Sequence, residues 1–92
     1  MIVRIMGEGQ VRLADGHLAE LDQLDDELLA EMEKGDGPGF RRTLGALLDR
    51  VRELGDAVPD DSLEPSELIL PGPDATLEEV RDLLSDDGLI PG

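Results

Sequence analysis

The sequence predicts a small α+β domain: a three-stranded antiparallel sheet and three helices in the order β-β-α-α-β-α, with a helical hairpin packed on the sheet. Three observations lead there. Near the start, Val3, Ile5, Val11 and Leu13 alternate with polar residues, the period of half-buried strands. Two leucine-rich segments follow at three- and four-residue steps, with a glycine-rich break between them. Leu68-Ile69-Leu70 then stands as a short apolar run just ahead of a helix-start motif. With 92 residues, the chain reads as a single domain over 1–92.

The elements follow in order. Ile2 to Met6 reads as a strand, with Val3 and Ile5 on one face and Ile2, Arg4 and Met6 on the other. Gly7-Glu8-Gly9 supplies residues that tolerate positive φ, so the chain turns into a hairpin. Arg4 and Arg12 then share the solvent face. Asp15 is the expected N-cap of the first helix. Its stripe is Leu18, Leu21, Leu24, Leu28, Leu29 and Met32, and Gly35 ends it. Pro38 suits the first turn of a second helix, whose stripe is Phe40, Leu44, Leu47, Leu48, Val51 and Leu54. Gly55 stops it. The short connection makes the two helices antiparallel neighbours, and neither is stable alone at this length.

Ala57 to Ser66 reads as an acidic, proline-punctuated connection. Leu68–Leu70 is the third strand, closed by Pro71. Thr76-Leu77-Glu78-Glu79 is a capping box, which opens a third helix buried through Leu77, Val80, Leu83 and Leu84. Gly88-Leu89 reads as a Schellman stop.

Charge opposes folding, but composition supports it. The net charge of −15 resists compaction. Leu, Ile, Val and Phe nevertheless make up 27 of the 92 residues, above the roughly 20% below which disorder prevails. The same charge disfavours nucleic acid, which needs a concentrated basic surface, and an anionic membrane surface. No apolar run approaches the ~20 residues that span a bilayer, and the N-terminus does not read as a signal peptide. The chain has no cysteine, hence no disulfide or thiol nucleophile. A fold without disulfides suits a reducing cytosol.

Little in the sequence suggests catalysis, and the reading is of a protein that is not an enzyme and uses no cofactor. The one histidine, His17, has no cysteine partner and no serine near it in sequence, and reads as a surface histidine of the first helical turn. Neither glycine-rich stretch matches a phosphate-binding loop, and both contain acids that repel phosphate. Asp60-Asp61-Ser62-Leu63-Glu64-Pro65 has proline where a calcium loop needs glycine.

One acid breaks the amphipathic pattern. At 100° per residue Asp25 falls inside the leucine stripe of the first helix. A charge buried there requires a partner. The second helix is the net-basic segment, and Arg52 on the flank of its stripe is the expected ion-pair partner of Asp25. The other acids form two lines beside the leucines of the first helix. Glu20, Glu27 and Glu31 lie on one side; Asp22, Asp26 and Glu33 lie on the other. The first line is the candidate surface for a basic protein partner.

Met1-Ile-Val-Arg-Ile-Met-Gly-Glu-Gly-Gln10, Glu67-Leu-Ile-Leu-Pro71 with Thr76-Leu-Glu-Glu-Val80, and the close Gly88-Leu-Ile-Pro-Gly92 resemble the PspA-associated protein family, PspAA. The resemblance spans the chain. It implies association with, or regulation of, a PspA-like coiled-coil membrane-stress protein in the envelope stress response. It also implies a cytoplasmic location, peripheral to the membrane through that partner. The family carries no catalytic motif to transfer. A small-molecule- or metal-sensing regulatory domain is the alternative. A monomer is expected, or a weak homodimer through Ile2 and Met6 on an edge strand.

Overall fold

A computed structural model describes residues 1–59 and 65–83. The alternation at the start forms a hairpin. Strand β1 (Ile2–Ile5) pairs antiparallel with β2 (Gly9–Arg12), Val3 opposite Val11 and Ile5 opposite Gly9. Gly7 at φ 85° and Gly9 at φ 114° supply the left-handed backbone of the turn. The Glu8 N–H closes it on the Ile5 carbonyl at 2.9 Å. Arg12 pairs with Ile2 and Gln10 with Arg4, so both arginines share one face, as the alternation requires.

The entry to the first helix differs from the expectation. Asp15 is not its N-cap. It opens a 3-10 turn, Asp15–His17, and α1 (Leu18–Lys34) begins only after it, with no side-chain cap at His17. Leu21, Asp25, Leu28 and Met32 form the buried side of α1. Gly35 at φ 70° ends it, its N–H bonded to the Met32 carbonyl at 3.1 Å. Asp36 then caps α2 (Gly37–Leu54), accepting from the Gly39 N–H at 3.1 Å, with Pro38 in the first turn. Phe40, Thr43, Leu44, Leu47, Leu48 and Val51 are buried from α2. Gly55 ends α2 in extended backbone and sits close against Val11 of β2.

The sheet has four strands, not three, and is mixed, not purely antiparallel. Asp56–Ala57 forms β3 antiparallel to β2, where the sequence suggests no strand and a connection from Ala57 onward. Leu68–Leu70 forms β4, parallel to β1, with Val3 beside Leu68 and Ile5 beside Leu70. The strand order is β3-β2-β1-β4. Parallel neighbours require a crossover connection, and the helical hairpin lies within it. β1 is therefore central, and the edge-strand dimer expected through Ile2 and Met6 has no edge there; Ile2 is itself buried.

Helix α3 (Leu77–Leu83) starts on the expected cap: the Glu79 N–H donates to Thr76 Oγ1 at 3.1 Å. The return contact runs from the Thr76 hydroxyl to Glu79 Oε1 at 3.2 Å. Leu84 and the Gly88-Leu89 stop lie outside the described residues. One core unites the layers: Val3, Ile5, Leu68 and Leu70 of the sheet, the apolar stripes of α1 and α2, and Val80 of α3. Burial of these side chains stabilises the fold by roughly 1.5–3 kcal/mol each before entropy is counted.

Candidate protein-interaction surface

The acids of α1 divide by what lies beside them. Glu20 faces the second helix and takes two hydrogen bonds from Arg50, from Nε at 2.9 Å and Nη2 at 3.3 Å. Arg50 Nη1 also reaches Glu53 at 2.9 Å. These bonds, Glu20 first, raise the Arg50 guanidinium above its ordinary pKa. Glu31 is half-buried and accepts from the Thr43 hydroxyl. Of the expected line of three carboxylates, two are thus engaged with α2. Glu27 is exposed and forms no ion pair among the described residues. Asp26 and Glu33, on the other side of the leucines, are exposed as well, so among the described residues α1 keeps unpaired carboxylates on both flanks of its solvent side.

Asp25 is buried at 2% exposure, at the place in the stripe that its wheel position gives. Buried side-chain nitrogen and oxygen atoms among the described residues all have hydrogen-bond partners. The Arg52 guanidinium, expected to meet Asp25, turns instead toward the hairpin. Its Nε donates to Glu8 Oε1 at 2.8 Å and its Nη1 to Asp49 Oδ1 at 2.7 Å, and Nη2 is bonded to Glu8 Oε2. The side chain of Arg52 is partly solvent-exposed. The reason is position: a residue on the flank of the apolar stripe extends past the core and finds the β1–β2 turn within reach. The Arg52 hydrogen bond holds the Glu8 carboxyl below its ordinary pKa, and the Glu8 bond raises Arg52 in turn. Glu20–Arg50 thus ties the two helices, and Glu8–Arg52 ties the β1–β2 turn to α2.

Two depressions flank the connection from β4 to α3. The larger, of about 570 Å³, lies between the β1–β2 turn, Pro71–Ala75 and the Glu79–Asp82 side of α3. The other, of about 540 Å³, lies between the α1–α2 junction at Gly35–Arg41 and Pro73–Glu78. Met6, which borders the first, and Ile69 of β4 are the large apolar side chains left exposed among the described residues, each at 52%. The alternation places both on the face opposite the helices. Their tertiary setting beside the β4–α3 connection has no local sequence signal.

A family model described as PspA-Associated protein, PspAA, matches residues 1–92. The chain belongs to the PspAA family. No curated protein and no solved structure gives a significant match to it. The described residues of this PspAA domain contain no group of three or more His, Cys, Asp or Glu side chains that could hold a metal ion. None of its described helices is long and apolar enough to cross a membrane. His17 is partly exposed at the end of the 3-10 turn, as a surface histidine would be. The described surface carries exposed acids on α1 and an acidic-rimmed depression beside Met6.

Proposed function

We propose that the domain is a non-catalytic interaction module that associates with a PspA-like coiled-coil protein and so takes part in the envelope stress response from the cytoplasmic side. The whole-chain match to a PspA-associated family carries this reading. The charge layout supports it. The chain has 23 acids against 8 Lys and Arg, and Asp26, Glu27 and Glu33 of α1 are exposed and in no ion pair among the described residues. Glu20 and Glu31 flank the same helix, but their contacts with α2 reduce what they offer to a second protein. Such a face attracts a basic stretch of a partner helix at long range and sets its orientation.

The acidic domain does not itself touch lipid in this scheme; its partner does. The test is the binding of purified domain to purified PspA-like protein as ionic strength rises. Exposed charges are screened beyond ~10 Å at 0.1 M salt, so affinity falls, mostly through slower association. Reversal of Glu27 to Lys lowers the association rate more than reversal of Glu20, whose loss also frees Arg50. Salt-independent binding, or equal effects at both positions, contradicts the α1 face as the steering surface.

A further inference from the structure

The larger depression has features that the acidic helix face lacks. Its floor is apolar: Met6 is 52% exposed directly after a strand whose Ile5 is buried, and Pro71 and Ala75 lie beside it. Its rim is acidic, with Glu8, Asp74, Glu79 and Asp82 and no Lys or Arg among its described lining residues. Glu8 is paired with Arg52, and Glu79 is held by Thr76. Asp74 and Asp82 form no ion pair among the described residues and remain open to a cation from outside.

The walls are fixed by backbone. The Met6 N–H is bonded to the Leu70 carbonyl at 3.0 Å. Gly72 passes so close that a Cβ there would lie 2.8 Å from the Met6 carbonyl oxygen. The Ala75 N–H closes a turn on the Gly72 carbonyl at 3.1 Å, directly ahead of the Thr76 cap. A site held this way needs little ordering when a ligand arrives. Methionine adds a soft, adaptable contact for an incoming aliphatic side chain.

The chemistry selects the occupant. Carboxylates on the rim repel phosphates and other anions, and the carboxylates stand around an apolar floor, not around a common point as a metal would require. A surface with both features matches a helix that carries apolar and basic residues together. We propose that this groove is the anchoring site for a basic amphipathic helix of the partner protein, with an aliphatic side chain on Met6 and Lys or Arg side chains on Asp74 and Asp82. The inference rests on the association reading and deepens it: the α1 face steers, and the groove holds.

The experiment compares wild type, Met6→Ser, the Asp74→Asn/Asp82→Asn double variant and Ala46→Lys for binding to purified PspA-like protein. Ala46 is exposed on α2, outside both surfaces, and its change adds positive charge elsewhere. Met6→Ser removes the floor without altering charge. Met6→Ser and the double variant are expected to dissociate roughly tenfold faster, as loss of an interface anchor does, while Ala46→Lys stays within about twofold of wild type. Wild-type dissociation in both groove variants overturns the groove and leaves the association reading intact. A second measurement removes the dependence on that reading. The ¹⁵N-labelled domain is titrated with a synthetic helical Leu/Lys peptide and followed by NMR. Shifts confined to Met6, Gly7, Gly72, Ala75 and Asp82 support the groove even if the PspA-like protein fails to bind, in which case the association reading alone falls. Shifts centred on α1, or none at millimolar peptide, overturn the groove.

Discussion

Two glycines of α2 predict opposite outcomes for the same substitution. Gly45 lies in mid-helix, and a Cβ built there meets nothing within 4 Å. Gly45→Ala therefore gains the helix-propensity difference, about 1 kcal/mol. Gly39 lies in the first turn, and a Cβ there would land on the Glu31 and Asp36 carboxylates, 2.9 Å from Asp36 Cγ. Both carboxylates are the ends of flexible side chains, so they can move, but each is engaged. Asp36 caps the Gly39 N–H at 3.1 Å, and a lost cap costs about 1 kcal/mol. Glu31 accepts from the Thr43 hydroxyl, a side chain only 8% exposed, and a lost hydrogen bond costs about another 1 kcal/mol. Set against a propensity gain of at most about 1 kcal/mol, Gly39→Ala is destabilising by roughly 1 kcal/mol. Urea unfolding of both variants measures this, and in thermal melts each kilocalorie moves Tm by about 4–8 °C in a domain of this size. Stabilisation of similar size by both substitutions would refute the placement of Glu31 and Asp36 at the start of α2.

Three further outcomes follow from the same geometry. Gly72→Ala places a Cβ 2.8 Å from the Met6 carbonyl, which is backbone and does not yield, so a loss of roughly 1–3 kcal/mol is expected in urea unfolding; an unchanged midpoint contradicts the close approach. Glu8 is held below its ordinary carboxyl pKa of 4.5 by the Arg52 hydrogen bond, so its contribution is complete above that value and is lost as pH falls through the lowered folded value. The stability difference between wild type and Glu8→Gln, under about 1 kcal/mol for so exposed a pair, should vanish in acid and stay flat toward alkaline pH; a difference that grows in acid is incompatible with this sign. Asp25→Ala and Arg52→Ala should be additive within about 0.5 kcal/mol, because Arg52 is bonded to Glu8 and Asp49; a coupling well above that would restore the Asp25–Arg52 bridge.

The legible features were those whose signal is local. The hairpin was carried by alternation and by Gly7 and Gly9, the helices by leucine spacing, Gly35 and Pro38, and the third helix by the Thr76 cap. The missed features depend on distant chain. β3 is two exposed residues, too short to show a period, and exists because Val11 and Arg12 of β2 offer it a ladder. The parallel sense of β4 is set by the path of the helical hairpin, not by Leu68–Leu70 itself. Asp15 has the chemistry of a cap, but a 3-10 turn intervenes before α1.

The candidate surface followed the same division. A helical wheel was enough to bury Asp25, yet it could not choose among cations, and Arg52 found the β1–β2 turn. Glu20, Glu27 and Glu31 all lie on α1. Two of them face α2, which only the packing of the two helices reveals. The groove beside Met6 brings together residues from 6–8 and 71–82. No sequence window contains both.

Association with a PspA-like protein is tested most directly by sedimentation of the two purified proteins, alone and mixed, at low and at elevated salt. A faster-sedimenting complex at low salt that dissociates as salt rises is the predicted result. Two folded proteins that sediment independently at every salt concentration would contradict it.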